Sequence, residues 1–264
     1  MHTGLDYYQY RTLELSQPRY QEKLRLVRHG YKVHSQSDED GIIAEIFTRI
    51  GAKNKTFVEF GVEHGIECNT LWLLMQGWSG LWIDGGVKNC KRIAKTHAHF
   101  MQSGQLKVEN SFITKDNINS FLARYFSTPA AAEIDLLSVD IDFNDYWVWQ
   151  AITAVNPRVV VIEYNASWPP PVAITVPYAP QGRWNGTSYF GASLSALAKL
   201  GKKKGYSLVG CCLSGTNAFF VRDDLVKAKF LKPGSAEDHY EPPRYFLSHM
   251  PSGHPPGVGA LVTV

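Results

Sequence analysis

Acidic side chains gather at two places where they could do chemistry. Leu136–Asp142 reads as an apolar run that ends in Asp140 and Asp142, with Asp145 just beyond. Arg158–Ile162 is nearly all valine and leads into Glu163 and Asn165. Carboxylates and amide oxygens are hard donors of the kind Mg²⁺ takes. A cation held there would lower the pKa of a bound hydroxyl and make a nucleophile at neutral pH. Asp140, Asp142, Glu163 and Asn165 are therefore candidate metal ligands. Without a metal, an aspartate or a histidine would act as general base, worth roughly 10²–10⁴-fold. Asp140, Asp142 and His64 are the leading catalytic candidates, with His249 and His254 as further bases. The plainer reading is that these acids cap the next helix or bind an amino group.

A second constellation has the chemistry of nucleoside binding. Phe57-Val58-Glu59-Phe60-Gly61-Val62-Glu63-His64-Gly65 is an apolar run opening into a glycine loop. Gly61 and Gly65 allow tight turns and close approach of backbone to a ligand. Asp84 ends the next apolar run, where an acid can accept both hydroxyls of a ribose. A pyrophosphate-binding loop wants G-x-G-x-x-G. Here Glu63 stands where the second glycine would be, with Glu67 nearby. Acids there repel phosphate but tolerate the sulfonium and ammonium of S-adenosylmethionine (SAM).

These residues need a frame that brings them together. Apolar runs at Thr56–Phe60, Gly80–Ile83, Leu106–Val108, Leu136–Ile141 and Arg158–Ile162 read as strands. Helical patterns fall between them, at Glu67–Gln76, Val87–Met101, Thr114–Tyr125 and Tyr146–Ala154, the last closed by Pro157. An earlier helix runs to Ile50, capped by Ser35 or Ser37. After the Pro- and aromatic-rich stretch Trp168–Tyr189, a helix over Phe190–Lys204 leads to a hairpin of Tyr206–Cys211 and Ala218–Val221. Alternating strands and helices require a parallel sheet covered on both faces, and the hairpin adds an antiparallel strand. The division expected is a helical arm over residues 1–33, an α/β domain over 34–232, and an irregular tail over 233–264 that could cover the site.

Composition narrows the function classes. Hydrophobic residues make up 44%, enough for a sizeable core, and the net charge is only +3. Lys202-Lys203-Lys204 sits at a helix end, where cations suit the dipole. Neither feature favours a nucleic-acid partner. The four cysteines have no zinc-like spacing. No apolar stretch reaches the roughly 20 residues of a membrane span. The expectation is a soluble cytoplasmic protein acting on a small molecule, with an aromatic N-terminal arm that could pair two chains.

Ser35–Gly41, Phe57–Gly61, Gly80–Asp84 and Leu137–Asp142 together resemble the FkbM-related SAM-dependent methyltransferases. The longest similar stretches are Ser138–Trp149 and Val159–Ala166, and the resemblance spans roughly residues 34 to 223. Phe143 departs from the family's commoner glycine, and Ser37-Asp38 from its commoner Asn-Gly. The resemblance implies a Rossmann-like class I methyltransferase fold, a mostly parallel seven-stranded α/β sheet with an antiparallel closing strand. It implies methyl transfer from SAM, usually to oxygen, on small metabolites, sugars or natural products. In such a fold Gln36 and Asp40 could reach the methionine end of the cofactor. Asn69 would brace the glycine loop, and Ser111 would lie by the adenine. Glu59, Gly61, Gly65, Asp84 and Asp140 complete the expected cofactor set. The ends of the fourth and fifth strands also resemble the metal sites of Mg²⁺-dependent O-methyltransferases. Two other readings are a nucleotide- or NAD-using α/β enzyme and a non-catalytic SAM-binding module.

Overall fold

The computed structural model describes residues 7–126, 131–232, 234–247 and 253–264. Helices α1 (Tyr7–Leu15) and α2 (Glu39–Ile50) precede the sheet. Strands β1 (Thr56–Phe60), β2 (Ser79–Asp84), β3 (Leu106–Asn110), β4 (Ala132–Val139) and β5 (Val155–Glu163) follow in turn. Between them lie α3 (Leu71–Met75), α4 (Val87–Thr96), α5 (Ala98–Gln102), α6 (Ile118–Tyr125) and α7 (Asp145–Ala151). Helix α8 (Leu194–Lys204) leads to β6 (Tyr206–Cys211) and β7 (Asn217–Arg222).

The seven strands form one sheet in the order β3-β2-β1-β4-β5-β7-β6. The first five are mutually parallel, and β7 runs antiparallel to both β5 and β6. The mixed sheet with its antiparallel closing strand is thus the one expected. Its order reverses between β1 and β4, and such a reversal opens a crevice at the C-terminal strand ends.

Period-two alternation sorts each strand's side chains onto two cores. Phe57, Trp82, Leu136 and Val161 face Ile42, Ile46, Leu71 and Ile93 of α2, α3 and α4. Val58, Ile83, Leu137 and Ile162 face Ile118, Leu122, Trp149 and Leu197 of α6, α7 and α8. The central strands are buried on both faces, which is why Val159–Ile162 of β5 is an unbroken apolar run.

Several boundaries differ from the periodic reading, each for a local reason. Helix α3 begins only at Leu71, because the N–H groups of Asn69 and Thr70 are bound by Glu59 rather than by a helical turn. The long helix expected over Val87–Met101 breaks at His97, whose Nε2 lies 2.7 Å from the Gly65 carbonyl. Neither Ser35 nor Ser37 occupies the N-cap of α2. Asp38 stands there, with its carboxylate accepting from the Leu213 N–H. Pro157 closes no helix; it lies inside β5. There β5 pairs with β4 alone, since β7 joins only from Val159 onward, so no ladder partner misses the proline's absent N–H. Helix α8 starts four residues late, behind the Ser193 cap.

The arm is helical only over Tyr7–Leu15 and continues as two 3₁₀ turns, Pro18–Tyr20 and Leu26–His29. It packs on its own chain through a buried network. Arg244 reaches Glu14 at 2.6 Å and Glu241 at 2.8 Å, and the Tyr20 hydroxyl donates to Glu241 at 2.6 Å. The tail is less irregular than expected, because Val262–Thr263 pairs antiparallel with Ile174–Thr175. Among the described residues, no helix is long and apolar enough to cross a membrane.

Candidate active site

The glycine loop leaves β1 in left-handed backbone. Gly61, Glu63 and Gly65 all have positive φ. A side chain on Gly61 would collide with the Asp140 carbonyl, which a Cβ would meet at 1.7 Å. That approach holds the end of β1 against the turn after β4. Glu63, not a glycine, takes φ +46°, and its N–H donates to Asp84 Oδ2 at 2.8 Å. Asp84 Oδ1 accepts from the Gly86 N–H and from the Asn89 amide. Oδ1 is thereby filled, while Oδ2 keeps acceptor capacity for a ligand hydroxyl.

Asp84 lies on the wall of a cavity of about 370 Å³ at the strand ends. Gly61 and Ser111 line it too, as do Phe112, Asp142 and Asn144. Gly182, Arg183 and Trp184 cover it from the aromatic loop, and the Arg183 guanidinium stacks over Phe112 at 4.9 Å. A second chamber of about 160 Å³ shares Asp142 and Trp184 with the first. Gln36, Glu63, Glu163, Thr216, Phe190, Tyr245 and His254 complete its lining.

The acidic group stands between the two. One carboxylate oxygen each from Asp140, Asp142 and Glu163 falls within 4.8 Å of the others. In a straight strand Asp140 and Asp142, two residues apart, would share a face. Strand β4 ends at Val139 and Asp142 takes left-handed backbone at φ +65°, and the two carboxyls still lie close together beside Glu163. Desolvation raises the pKa of the half-buried Asp140 and Glu163, and neighbouring acids raise it further; Asp142, more exposed, shifts the same way. Burial also pushes Asp145 up to about 7, against the lowering hydrogen bond from the Ile141 N–H. Glu163 Oε2 and Asp145 Oδ2 are shielded from water and have no hydrogen-bond partner among the described residues. Closely spaced, partly unsatisfied carboxylates favour a positively charged occupant, and this donor set would fit a divalent cation or a sulfonium.

Other expected site residues are placed elsewhere. Glu59 is buried and spends its carboxylate on Asn69, Thr70 and Ser138. Asn69 itself donates to Ser138, so the pair braces β1 against β4 behind the cavity. Asp40 Oδ2 accepts from the N–H groups of Val33, His34 and Ser35 and folds that loop. The Asn165 amide is held by the carbonyls of Ser188 and Phe190, and its oxygen by the Ser167 N–H. Asn165 is thus committed away from the acidic group. His64 is half-buried beside Glu63 and lines neither chamber, whereas His254 lines the smaller one. His249 lies outside the described residues. Gly65 packs against Trp82 rather than a cavity. Of the aromatic wall residues, Trp184 reaches the chambers. Tyr178 bonds Asp116, and Tyr189 bonds the Ala260 carbonyl. Asn185 and Thr187 close a turn on each other.

Phe112, Asn89 and Arg183 line the larger cavity without having been singled out in the sequence. Gly85-Gly86 after Asp84 was a usable signal for the first turn of α4. Arg183, far away in sequence, carried none.

No protein-family model matches the chain, and no curated protein matches it. Solved structures do resemble it at low identity. Magnesium protoporphyrin IX methyltransferase from Synechocystis PCC 6803, with bound SAH, is 12% identical, with a TM-score of 0.46 over 70% of this chain and 81% of that one. The N-terminal domain of EvdMO1, also with SAH, is 12% identical with a TM-score of 0.43, over 82% and 95%. The methyltransferase domain of bacterial CtHen1-C is 14% identical with a TM-score of 0.44, over 71% and 97%. Likeness at this level concerns the course of the chain, and the chemistry has to be argued from the site.

Proposed function

We propose that this protein is a SAM-dependent methyltransferase that methylates oxygen on a small polar metabolite, sugar or natural product. One observation carries the reading. A nucleoside-sized cavity with Asp84 on its wall adjoins, across Asp142 and Trp184, a small acid-lined chamber. The cofactor would place its ribose on Asp84 and its adenine near Ser111 and Phe112. Glu63, Asp140 and Asp142 would surround its positive end. The same acids would repel the pyrophosphate of NAD, which disfavours the dinucleotide alternative. Glu163, which that placement leaves unused, would be superfluous in a module that only binds SAM. The motifs at Ser138–Trp149 and Val159–Ala166 favour the FkbM-related branch. The cysteines, all free, suit a reducing cytoplasm.

A second reading adds Mg²⁺, favoured by the three converging carboxylates and the unpartnered Glu163 oxygen. Asp140, Asp142 and Glu163 would hold it, and it would supply Lewis-acid activation of the acceptor hydroxyl. Calorimetric titration with SAM, with and without Mg²⁺, tests both. SAM is expected to bind, and Asp84→Ala to weaken it about 10–100-fold through lost charge-assisted hydrogen bonds. No heat with SAM sinks the reading, and unchanged affinity in a folded Asp84→Ala variant removes the ribose contact. SAM binding with no response to Mg²⁺ removes the metal.

A further inference from the structure

The C-terminal segment delivers a histidine into the acid-lined chamber. The His254 ring lies 4.6 Å from Tyr245, 4.9 Å from Trp184 and 5.5 Å from Phe190, centroid to centroid. These rings line the chamber with it, and Glu63, Asp142 and Glu163 are the acids on the same lining. The segment is fastened there. The Ser188 N–H donates to the Pro255 carbonyl at 2.8 Å, the Gly257 N–H to Ser188 Oγ at 3.0 Å, and the Tyr189 hydroxyl to the Ala260 carbonyl. His254 Nδ1 is shielded from water and has no hydrogen-bond partner among the described residues.

Apolar rings around an imidazole disfavour its charged form, and burial lowers the pKa of His254. Nδ1 is enclosed, so with the proton on Nδ1 the ring turns Nε2 to the chamber as its acceptor. The acids of the chamber would stabilise the imidazolium once it formed. The chamber also adjoins the cavity assigned to the cofactor, through Asp142 and Trp184.

We propose that the smaller chamber receives the acceptor's hydroxyl and that His254 is the general base that takes its proton. The inference rests on the methyltransferase reading. As the hydroxyl oxygen bonds the methyl carbon, the carbon–sulfur bond breaks with its electron pair going to sulfur, and the proton passes to Nε2. The products are a methyl ether, a neutral thioether and an imidazolium, so the sulfonium's single positive charge moves to His254.

The test uses the full chain and needs no acceptor. Imidazole signals are titrated by NMR in the complexes with SAM and with its demethylated product SAH, and either His254→Gln or His254→Asn identifies the signal. A base facing the methyl group feels the sulfonium of SAM and no such charge in SAH. His254 is therefore expected to titrate below the ordinary value of about 6.5. It should lie lower in the SAM complex than in the SAH complex by ~0.5 unit or more. An equal pKa in both complexes, or one at or above the ordinary value, overturns the assignment. If calorimetry shows that neither SAM nor SAH binds, the methyltransferase reading itself falls, and this inference with it. Binding with an unmoved imidazole overturns the base alone.

Discussion

Burial decides what each acid does at the ends of β4 and β5. Asp145 is fully enclosed, and its folded pKa of about 7 stands above the ordinary 3.8. Between those values the folded chain keeps a proton that the unfolded chain releases, so stability falls as pH rises from about 4 to 7. Asp145→Asn keeps an acceptor for the Ile141 N–H and removes the charge. Its melting temperature should match the parent near pH 4 and exceed it at pH 8, by about 1–3 kcal/mol or a few degrees. Scanning calorimetry at the two pH values checks this, and an unchanged or lower value at pH 8 would refute it. The acids were visible in the sequence, but their division of labour was not. Glu59 and Asp140 look alike as carboxylates at neighbouring strand ends. One is filled by the N–H groups and hydroxyl of Asn69 and Thr70, and the other is left among like charges. That difference depends on partners distant in sequence.

Elements carry their own logic. Ser193 caps α8 by accepting from the Ala196 N–H at 3.2 Å, and its hydroxyl oxygen also accepts from the Ile174 N–H at 3.1 Å. It therefore joins the helix start to the short strand on which Val262–Thr263 pairs. Ser193→Ala should cost about 1–2 kcal/mol, read from the urea midpoint at unchanged slope. A loss under a few tenths of a kcal/mol would show that neither bond matters. The strands were legible because two-sided burial enforces near-continuous apolar runs. Helix ends were less so, since Glu59 and His97 set them through bonds that cross between elements.

At the scale of the whole molecule, the arm and the C-terminal region lock together through charges removed from water. Arg244, Glu241 and Glu14 form one cluster with the Tyr20 hydroxyl. Arg244→Ala would leave the buried Glu241 carboxylate with only Arg19 and the Tyr20 hydroxyl as partners. It should cost about 2–3 kcal/mol in urea denaturation and speed proteolytic cutting of the arm. A variant with parental stability and an equally resistant arm would show that the cluster is dispensable. The same region brings His254 to the small chamber, far along the chain from Asp142 and Glu163. The sequence by itself determined the alternation of elements, the antiparallel closing strand, Asp84 at its strand end and the acids after β4 and β5. All of these follow from local periodicity and from residues adjoining it. Only the tertiary structure decided that Glu163 joins Asp140 and Asp142, that Asn165 is spent on a loop, and that His254 rather than His64 lines the acidic chamber. Those outcomes depend on backbone turns and on packing between segments far apart in the chain, where neither spacing nor composition carries a signal.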